Sequence, residues 1–483
     1  MRNLRLVARI IGHLLYFEAL MMLVCLGISL YFGDDDVAAF MLSKLVTVIA
    51  ALTICYFSRD AKNILNRRDS YLVVSCAWVM FSLFGTLPYI ISGYIPSFSD
   101  AFFEAMSNFT TTGLSTFNVA MPHGLIFWRS LAQWAGGLGI VFFTIAILPS
   151  FVDGDVKIFA AETTGAMRNR LHPRIRTNAR WIWATYLVLT LACVAALMLC
   201  GMDTFDSINY SMVTTATGGH TPYGDSVAHF HSPAIEYVET IFMLLSGISF
   251  VTLYSFAFKR KFRMALSNTE LRFYLGTVMA CTLVIFFVLV IGNDYDLEHA
   301  FRAALFEVVS ILSSTGMYAD NLSVWPPFAW FILGACMIMG ACAGSTSGGI
   351  KTIRVVMLLK NARNEFKHIL HPNAILPVRV NGNPVGHSMQ STLMAFVTLY
   401  MIIVVLASVA FMAMGMDMRT ASTVTISCIS TCGPAFGPQI DAAIAWDNIP
   451  VVGKWLCSSL MLVGRLEIFS VLILFTKSFW KDN

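Results

Sequence analysis

Thr110, Thr111, Thr112 and Gly113 line up hydroxyls and backbone carbonyls ahead of a glycine that can take dihedrals forbidden to other residues. Oxygens in that arrangement can stand in for the water around a cation. A single Thr-Thr-Thr-Gly would mean no more than a turn, but this one returns. From Asp100 the chain runs through Phe103, Glu104 and Ser107 to Gly113. From Ala304 it runs through Phe306, Glu307 and Ser310 to Ser313, Ser314, Thr315 and Gly316, at the same offsets. Weaker copies lead from Asp206 through Ala216, Thr217 and Gly218 to Gly219, and from Thr420 through Ser427, Ser430, Thr431 and Cys432 to Gly433. Four glycine-ended polar strips, spaced roughly a hundred residues apart, are an internal repeat.

The elements that must hold these strips are membrane helices. Charged residues make up only 12% of the chain, the mean hydropathy is +0.70, and apolar runs of about 20 residues recur throughout. No polar stretch between them is long enough to build a soluble core. The net charge of +4 does not point to nucleic acid, because Lys and Arg sit almost entirely in alternate inter-helix loops, the positive-inside signature. The 11 cysteines form no metal or redox pattern. Cys25, Cys55, Cys193, Cys281 and Cys336 stand singly in apolar runs, and Cys428 and Cys432 share a helix face without a His or acid to complete a ligand set. Arg2, Arg5 and Arg9 before an apolar run imitate a signal peptide. The run is too long, carries Glu18 and lacks a small-residue cleavage site, so it reads as a retained first helix. Glu18 is expensive in lipid and is expected to face protein, hydrogen-bonded to a neighbouring helix.

Two helices, about residues 6–31 and 38–57, open the chain. The link between them holds Asp34, Asp35 and Asp36 and no base, whereas Arg59, Lys62, Arg67 and Arg68 follow. That contrast places the N-terminus in the cytoplasm. From about Tyr71 a pattern of apolar span, polar re-entry, apolar span and basic loop runs four times. The inner loops carry Arg168, Arg170, Arg174, Arg176 and Arg180; then Lys259, Arg260, Lys261 and Arg263; then Lys360, Arg363 and Lys367; and finally Lys477 and Lys481. The re-entries fall on the outer side and are nearly free of base. The expected fold is an all-α polytopic membrane protein with ten spanning helices, four short re-entrant helices and both termini inside. Its units are residues 1–69 for the two leading helices, then repeats at 70–177, 178–268, 269–384 and 385–483. The four return spans are expected near residues 127–148, 235–256, 328 onward and 452–475.

Each re-entry runs roughly thirty residues, too long for a structureless link. Asp100, Asp206 and Thr420 offer helix starts, followed by about ten residues at helical spacing. A helix of that length directs its C-terminal carbonyls, and the partial negative charge they carry, at whatever lies on the axis. The extended strip beyond can aim carbonyls inward, which membrane depth tolerates only where backbone is protein-buried or lines water. Four such strips around one axis make a cation filter. It has no ring of acids, so selection rests on carbonyls and hydroxyls, which suits a large monovalent cation better than calcium. Asp34 to Asp36, Asp225, Asp320, Asp441 and Asp447 make the outer face acidic and could concentrate cations there.

On these motifs the chain resembles the Trk/Ktr/HKT superfamily of potassium-transport proteins. The two leading helices, Gly344-Ser345-Thr346, Gly348-Gly349, His371-Pro372-Asn373-Ala374 and Gly464-Arg465-Leu466-Glu467 are similar to its TrkH branch in particular. The resemblance implies potassium uptake across a bacterial inner membrane and no enzymatic activity. It implies filter glycines at Gly113, Gly219, Gly316 and Gly433, with Thr110 to Thr112, Ala216 to Gly218, Ser313 to Thr315 and Ser430 to Cys432 leading into them. It also implies a homodimer with one pore per protomer and a cytosolic, nucleotide-binding TrkA-type ring that docks on the basic inner loops, since no nucleotide site is visible in this chain.

Three further features stand out. Gly344, Ser345, Thr346, Ser347, Gly348 and Gly349 followed by Ile350 and Lys351 imitate a phosphate loop, but Ile350 spoils the spacing and no buried strand precedes it. So many small residues cannot hold a helix, so the third return helix should break inside the membrane; in the family the corresponding loop gates the pore. Arg465, mid-span with Glu467 nearby, is a functional candidate by position, and the resemblance gives it the pore's electrostatic barrier. Arg129 is expected to be structural. Glycines in the return helices (Gly136, Gly137, Gly139, Gly247, Gly340 and Gly464) suit close packing around a narrow axis. The alternative to a channel-like path is a carrier coupling potassium to H⁺ or Na⁺. Such carriers usually show inverted repeats, whereas these four units share one orientation.

Overall fold

The computed structural model describes residues 3–62, 65–116, 121–139, 175–257, 267–293, 295–374, 376–436 and 449–481. Arg168, Arg170 and Arg174, the Lys259–Lys261 cluster with Arg263, Asp441 and Asp447 all lie outside that set.

Two long helices, α1 (Leu4–Phe32) and α2 (Val37–Phe57), form an antiparallel hairpin. Asn3 caps α1 by accepting from the Leu6 amide at 3.1 Å, and Gly33 ends it in the left-handed region at φ 73°. The acidic link between them is structural. Asp34 accepts from the His123 amide at 2.7 Å and lies 3.1 Å from the His123 ring nitrogen, at the N-terminus of the first return helix. Asp36 is fully buried beside it, where a Cβ on Gly124 would overlap its carboxylate. A carboxylate at a helix N-terminus complements the exposed amides there. Asp320 accepts from Tyr295 Oη at 2.9 Å and Trp325 Nε1 at 3.1 Å. Asp34 and Asp320 thus tie neighbouring segments together. Glu18 is fully buried and faces protein as expected. It is not hydrogen-bonded to a neighbouring helix as expected: neither carboxylate oxygen has a hydrogen-bond partner among the described residues.

Each repeat then supplies one outer helix, one short helix and one return helix. In the first, α3 (Arg67–Gly85) runs into α4 (Leu87–Ser92), followed by short α5 (Phe98–Phe109) and return helix α6 (His123–Gly137). The second has α7 (Ile175–Leu199), short α8 (Thr204–Ala216), then α9 (Pro233–Ser246) and α10 (Phe250–Ala257). The third has α11 (Thr269–Asn293), short α12 (Leu297–Leu312), return helix α13 (Pro327–Met339) and an inner helix α14 (Thr352–Leu370). The fourth has α15 (His387–Ala413), short α16 (Met418–Ser430), then α17 (Val451–Arg465) and α18 (Phe469–Leu472). Between α14 and α15 sits a small hairpin pairing Arg379 with Pro384 and Val380 with Asn383. Asn381 and Gly382 turn it at φ 49° and 82°, the Asn-Gly chemistry a tight hairpin requires.

Among the described residues, six helices are long and apolar enough to cross a bilayer, or up to eight if each of two bent pairs counts as one span. The short helices have 12, 13, 16 and 13 residues. At about 1.5 Å per residue none reaches across a hydrocarbon core of about 30 Å. Their caps lie three residues before the expected starts. Asp203, Asp296 and Asp417 accept from amides of their own first turns, with Ser97 at the corresponding place in the first repeat. Asp100, Asp206 and Thr420 sit inside that first turn, where Asp100 accepts from Lys454 Nζ at 2.7 Å and Asp206 from Tyr223 Oη at 3.0 Å.

The return helices depart further from expectation. The third breaks after Met339 as its composition predicts. The second and fourth break too: α9 and α10 meet at 107°, and α17 and α18 at 109°. Glu467 and Ile468 carry the fourth break at φ 56° and 54°, a costly conformation for a β-branched residue. α6 ends at Gly137, two residues before Gly139 at φ 79°.

Candidate functional site

Each short helix ends the same way. The second strip residue takes a positive φ in every copy: Thr111 at 55°, Thr217 at 53°, Ser314 at 57° and Thr431 at 49°. The next amide reaches back to a carbonyl five residues earlier: Thr112 to Ser107 at 2.9 Å, Gly218 to Val213 at 3.0 Å, Thr315 to Ser310 at 2.9 Å and Cys432 to Ser427 at 3.1 Å. This is a helix C-cap in which Thr or Ser stands where glycine is usual, at a cost of about 1–2 kcal/mol per residue. Side-chain bonds offset part of that cost. Thr111 Oγ1 and Thr217 Oγ1 each donate to the preceding carbonyl at 2.7 Å. The glycine that follows also has positive φ: Gly113 at 81°, Gly219 at 82°, Gly316 at 76° and Gly433 at 102°. The cap reverses the helix's direction, and the glycine turns the chain outward again.

The four strips close into a ring. A Cβ on Gly113 would overlap the Gly218 carbonyl oxygen, and one on Gly219 the Thr315 carbonyl oxygen. One on Gly316 would strike the Cys432 carbonyl oxygen, and one on Gly433 would come within 2.7 Å of the Thr112 carbonyl oxygen. Each glycine thus abuts the carbonyl just before the glycine of the next repeat, in the order one, two, three, four and back to one. Any side chain there collides with backbone, which cannot yield as a flexible side chain can. All sixteen sequence-predicted strip residues, from Thr110 to Gly433, therefore fall in one assembly of backbone oxygens and hydroxyls.

Beneath it lies the loop between Gly340 and Thr352. Its ends are tied together: Ile350 N bonds the Ile338 carbonyl at 3.0 Å, Lys351 N the Met339 carbonyl at 2.9 Å and Thr352 N the Ala341 carbonyl at 2.9 Å. Within it, Gly344 and Gly349 have φ 80° and 73°. Ser345 Oγ donates to the Cys342 carbonyl at 2.7 Å, and Ser347 Oγ accepts from the Ala341 amide at 3.0 Å. Lys351 Nζ turns back onto the Ser347 carbonyl. The loop reaches strips three and four and the last turn of α8. Thr346 Oγ1 donates to the Thr215 carbonyl at 3.2 Å, Gly348 N donates to Ser314 Oγ at 2.7 Å, and a Cβ on Gly348 would overlap the Ser430 carbonyl. These groups sit where short helix becomes strip, so the loop lies against the inner end of the ring.

Arg465 joins these parts. Its guanidinium donates to the Thr346 carbonyl at 2.8 Å and to the Gly136 and Gly137 carbonyls at 2.5 and 2.7 Å. The last two belong to the C-terminal end of α6, where a cation is favoured by the exposed carbonyls. Glu467, close to Arg465 in sequence, meets Arg354 of α14 at 2.5 Å. Arg129 lies 3.0 Å from the buried Glu104 and is structural, as expected. Gly136 and Gly464 let α6 and α17 press onto the last turns of α5 and α16, where a Cβ would overlap the Phe109 and Ile429 carbonyls.

Two functional contacts escape sequence reasoning. Gln133 of α6 is fully buried and hydrogen-bonded to the Gly218 carbonyl at 2.8 Å. Tyr400 of α15 holds Ser430 Oγ at 2.8 Å. A lone amide in an apolar return helix was the available signal for Gln133. Nothing distinguishes Tyr400 from the other tyrosines by spacing.

The TrkH family model, described as that of a cation transport protein, matches residues 38–483. The Trk system potassium uptake protein TrkH of Halomonas elongata is 33% identical, over 99% of this chain and 100% of its own length. The Escherichia coli K12 protein of the same name is 32% identical over the same shares. The crystal structure of the potassium transporter TrkH from Vibrio parahaemolyticus superposes with a TM-score of 0.89 at 31% identity, covering 99% of this chain and all of that one. Helices, strips and loop together make this chain a multi-pass inner-membrane transport protein and a member of the TrkH family of the Trk/Ktr superfamily.

Proposed function

We propose that the chain carries potassium into the cell through the ring of four strips, passively, drawn by the membrane potential. That potential contributes about 2.3 kcal/mol per charge for each 100 mV. The observation that carries this reading is the closed order of glycine against carbonyl, one repeat after another, around a single assembly. Neutral oxygens on fixed backbone suit a weakly hydrated monovalent cation. The relatives' names supply potassium.

In this reading the ten-span arrangement is completed by counting α6 and α13 with their continuations as spans, and α5, α8, α12 and α16 are re-entrant. Both termini face the cytoplasm, and the repeats divide at residues 70, 178, 269 and 385. The loop Gly344 to Gly349 with Lys351 is the gate. Its bonds to Thr215, Ser314 and Arg465 support a closed state in which it seals the inner mouth. Gate opening is set from outside the chain by a cytosolic nucleotide-binding ring of the TrkA type, and the protein works as a homodimer; both follow from the resemblance. Rubidium influx into cells lacking potassium uptake, with a suitable ring subunit supplied, tests the reading. Influx well above background is expected, and background-level influx from membrane-inserted protein contradicts it.

A further inference from the structure

The second strip departs from the others at its third residue. In strip one, Thr112 Oγ1 pairs with Thr110 Oγ1 at 2.8 Å; in strip three, Thr315 Oγ1 pairs with Ser313 Oγ at 2.7 Å. In strip four, Cys432 Sγ reaches the Ile311 carbonyl at 3.5 Å. Strip two has Ala216 and Gly218 at those places and so possesses neither group of the hydroxyl pair. The space is nevertheless filled. A Cβ on Gly218 would lie 2.5 Å from Gln133 Oε1 and 2.6 Å from its Cδ.

Gln133 comes from α6, in the first repeat, and grips strip two from behind. Its Nε2 donates to the Gly218 carbonyl at 2.8 Å, and its Oε1 accepts from the His220 amide at 3.3 Å. These partners orient the amide, since only its NH₂ end can face a carbonyl and only its oxygen can face an N–H. The two bonds bracket Gly219 on both sides. The carbonyl that Gln133 holds is the same one against which Gly113 packs. The His220 ring continues the brace, bonding Asn108 Oδ1, while Asn108 Nδ2 donates to Tyr89 Oη at 3.0 Å.

We propose that Gln133 is a positioning residue that sets cation specificity: it supplies across the repeat boundary the brace that strips one and three make from their own hydroxyls. The proposal rests on the strips being the filter. Its side-chain amide donates to the Gly218 carbonyl and accepts from the His220 amide, so it fixes the strip on both sides of Gly219. The weakest-looking strip is thereby held by its neighbour.

The test is rubidium influx and its competition by sodium in cells lacking potassium uptake, with membrane abundance measured for each variant. Gln133→Ala should reach the membrane and lose rubidium-over-sodium preference by about fivefold or more, as expected for losing a buried hydrogen bond. Gly218→Thr alone should block influx, because the new side chain meets Gln133. The triple variant Ala216→Ser, Gly218→Thr, Gln133→Ala gives strip two the hydroxyl pair of strip three, at its first and third residues, and should recover preference over Gln133→Ala. Wild-type preference in Gln133→Ala overturns the proposal. If that variant does not reach the membrane, the triple variant decides, and an unselective triple variant overturns it. Gly113→Ser in the same assay separates the two readings: if it loses preference while Gln133→Ala keeps it, only the role of Gln133 fails. If neither loses preference, the filter assignment fails with it.

Discussion

Arg465 shows how much one side chain can hold. Its guanidinium satisfies three carbonyls from two places, the loop between Gly340 and Thr352 and the C-terminal end of α6. Hydrogen bonds from a charged donor are worth about 1.5–3 kcal/mol each. Arg465→Gln should therefore lower the thermal midpoint of the purified protein and, by freeing Thr346, raise rubidium influx measured without the ring subunit. An unchanged ring-independent rate would show that the arginine does not hold the loop shut. The four glycines that meet in the ring were legible in the sequence because four copies share their offsets. Gln133 was not, because its partner belongs to another repeat and only the packing of α6 against α8 brings the two together.

At the scale of elements, the broken return helices matter most. The third break was legible, since the run from Gly344 to Gly349 cannot be helical. The second and fourth were not. Gly247-Ile248-Ser249 and Leu466-Glu467-Ile468 contain no helix-stopping run, and tertiary contacts impose both bends: Gly247 accepts from the Cys342 amide at 3.0 Å, and Glu467 pairs with Arg354. Removing one partner of a buried ion pair leaves the other charge uncompensated and costs about 3–5 kcal/mol. Glu467→Gln should thus destabilise strongly, and Arg354→Met with Glu467→Gln together should cost less than the sum of the two alone. A thermal-shift double-mutant cycle in detergent checks this; additive losses would mean that the pair does not couple α14 to the fourth break. The gate loop makes its own prediction. Gly348→Ala places a Cβ against the Ser430 carbonyl and should push the loop off strip four, raising influx in the absence of the ring subunit. Influx no higher than wild type would remove the loop from the gating path.

For the whole molecule, the repeat explains why a chain so poor in charge can build a polar interior. Backbone supplies the oxygens, and each repeat contributes one strip at the inner end of one short helix. Apolar surface faces outward, as on α11, where Phe287 is 56% exposed, and on α15, where Leu406 is 65% exposed. That lipid-facing character, the hairpin of α1 and α2 and the fourfold order were all visible in hydropathy and motif spacing. What they could not convey is which carbonyl each glycine packs against, because that depends on distances between residues roughly a hundred positions apart. In the proposed function this ring is one filter to which all four repeats contribute. Reversal potentials under opposed potassium and sodium in a planar bilayer test it most directly, for the wild type and for Gly113→Ser, Gly219→Ser, Gly316→Ser and Gly433→Ser. A potassium-selective wild type, with every one of the four substitutions shifting the potential toward that of sodium, is the predicted result. A potential unmoved by all four substitutions in conducting protein would contradict the account.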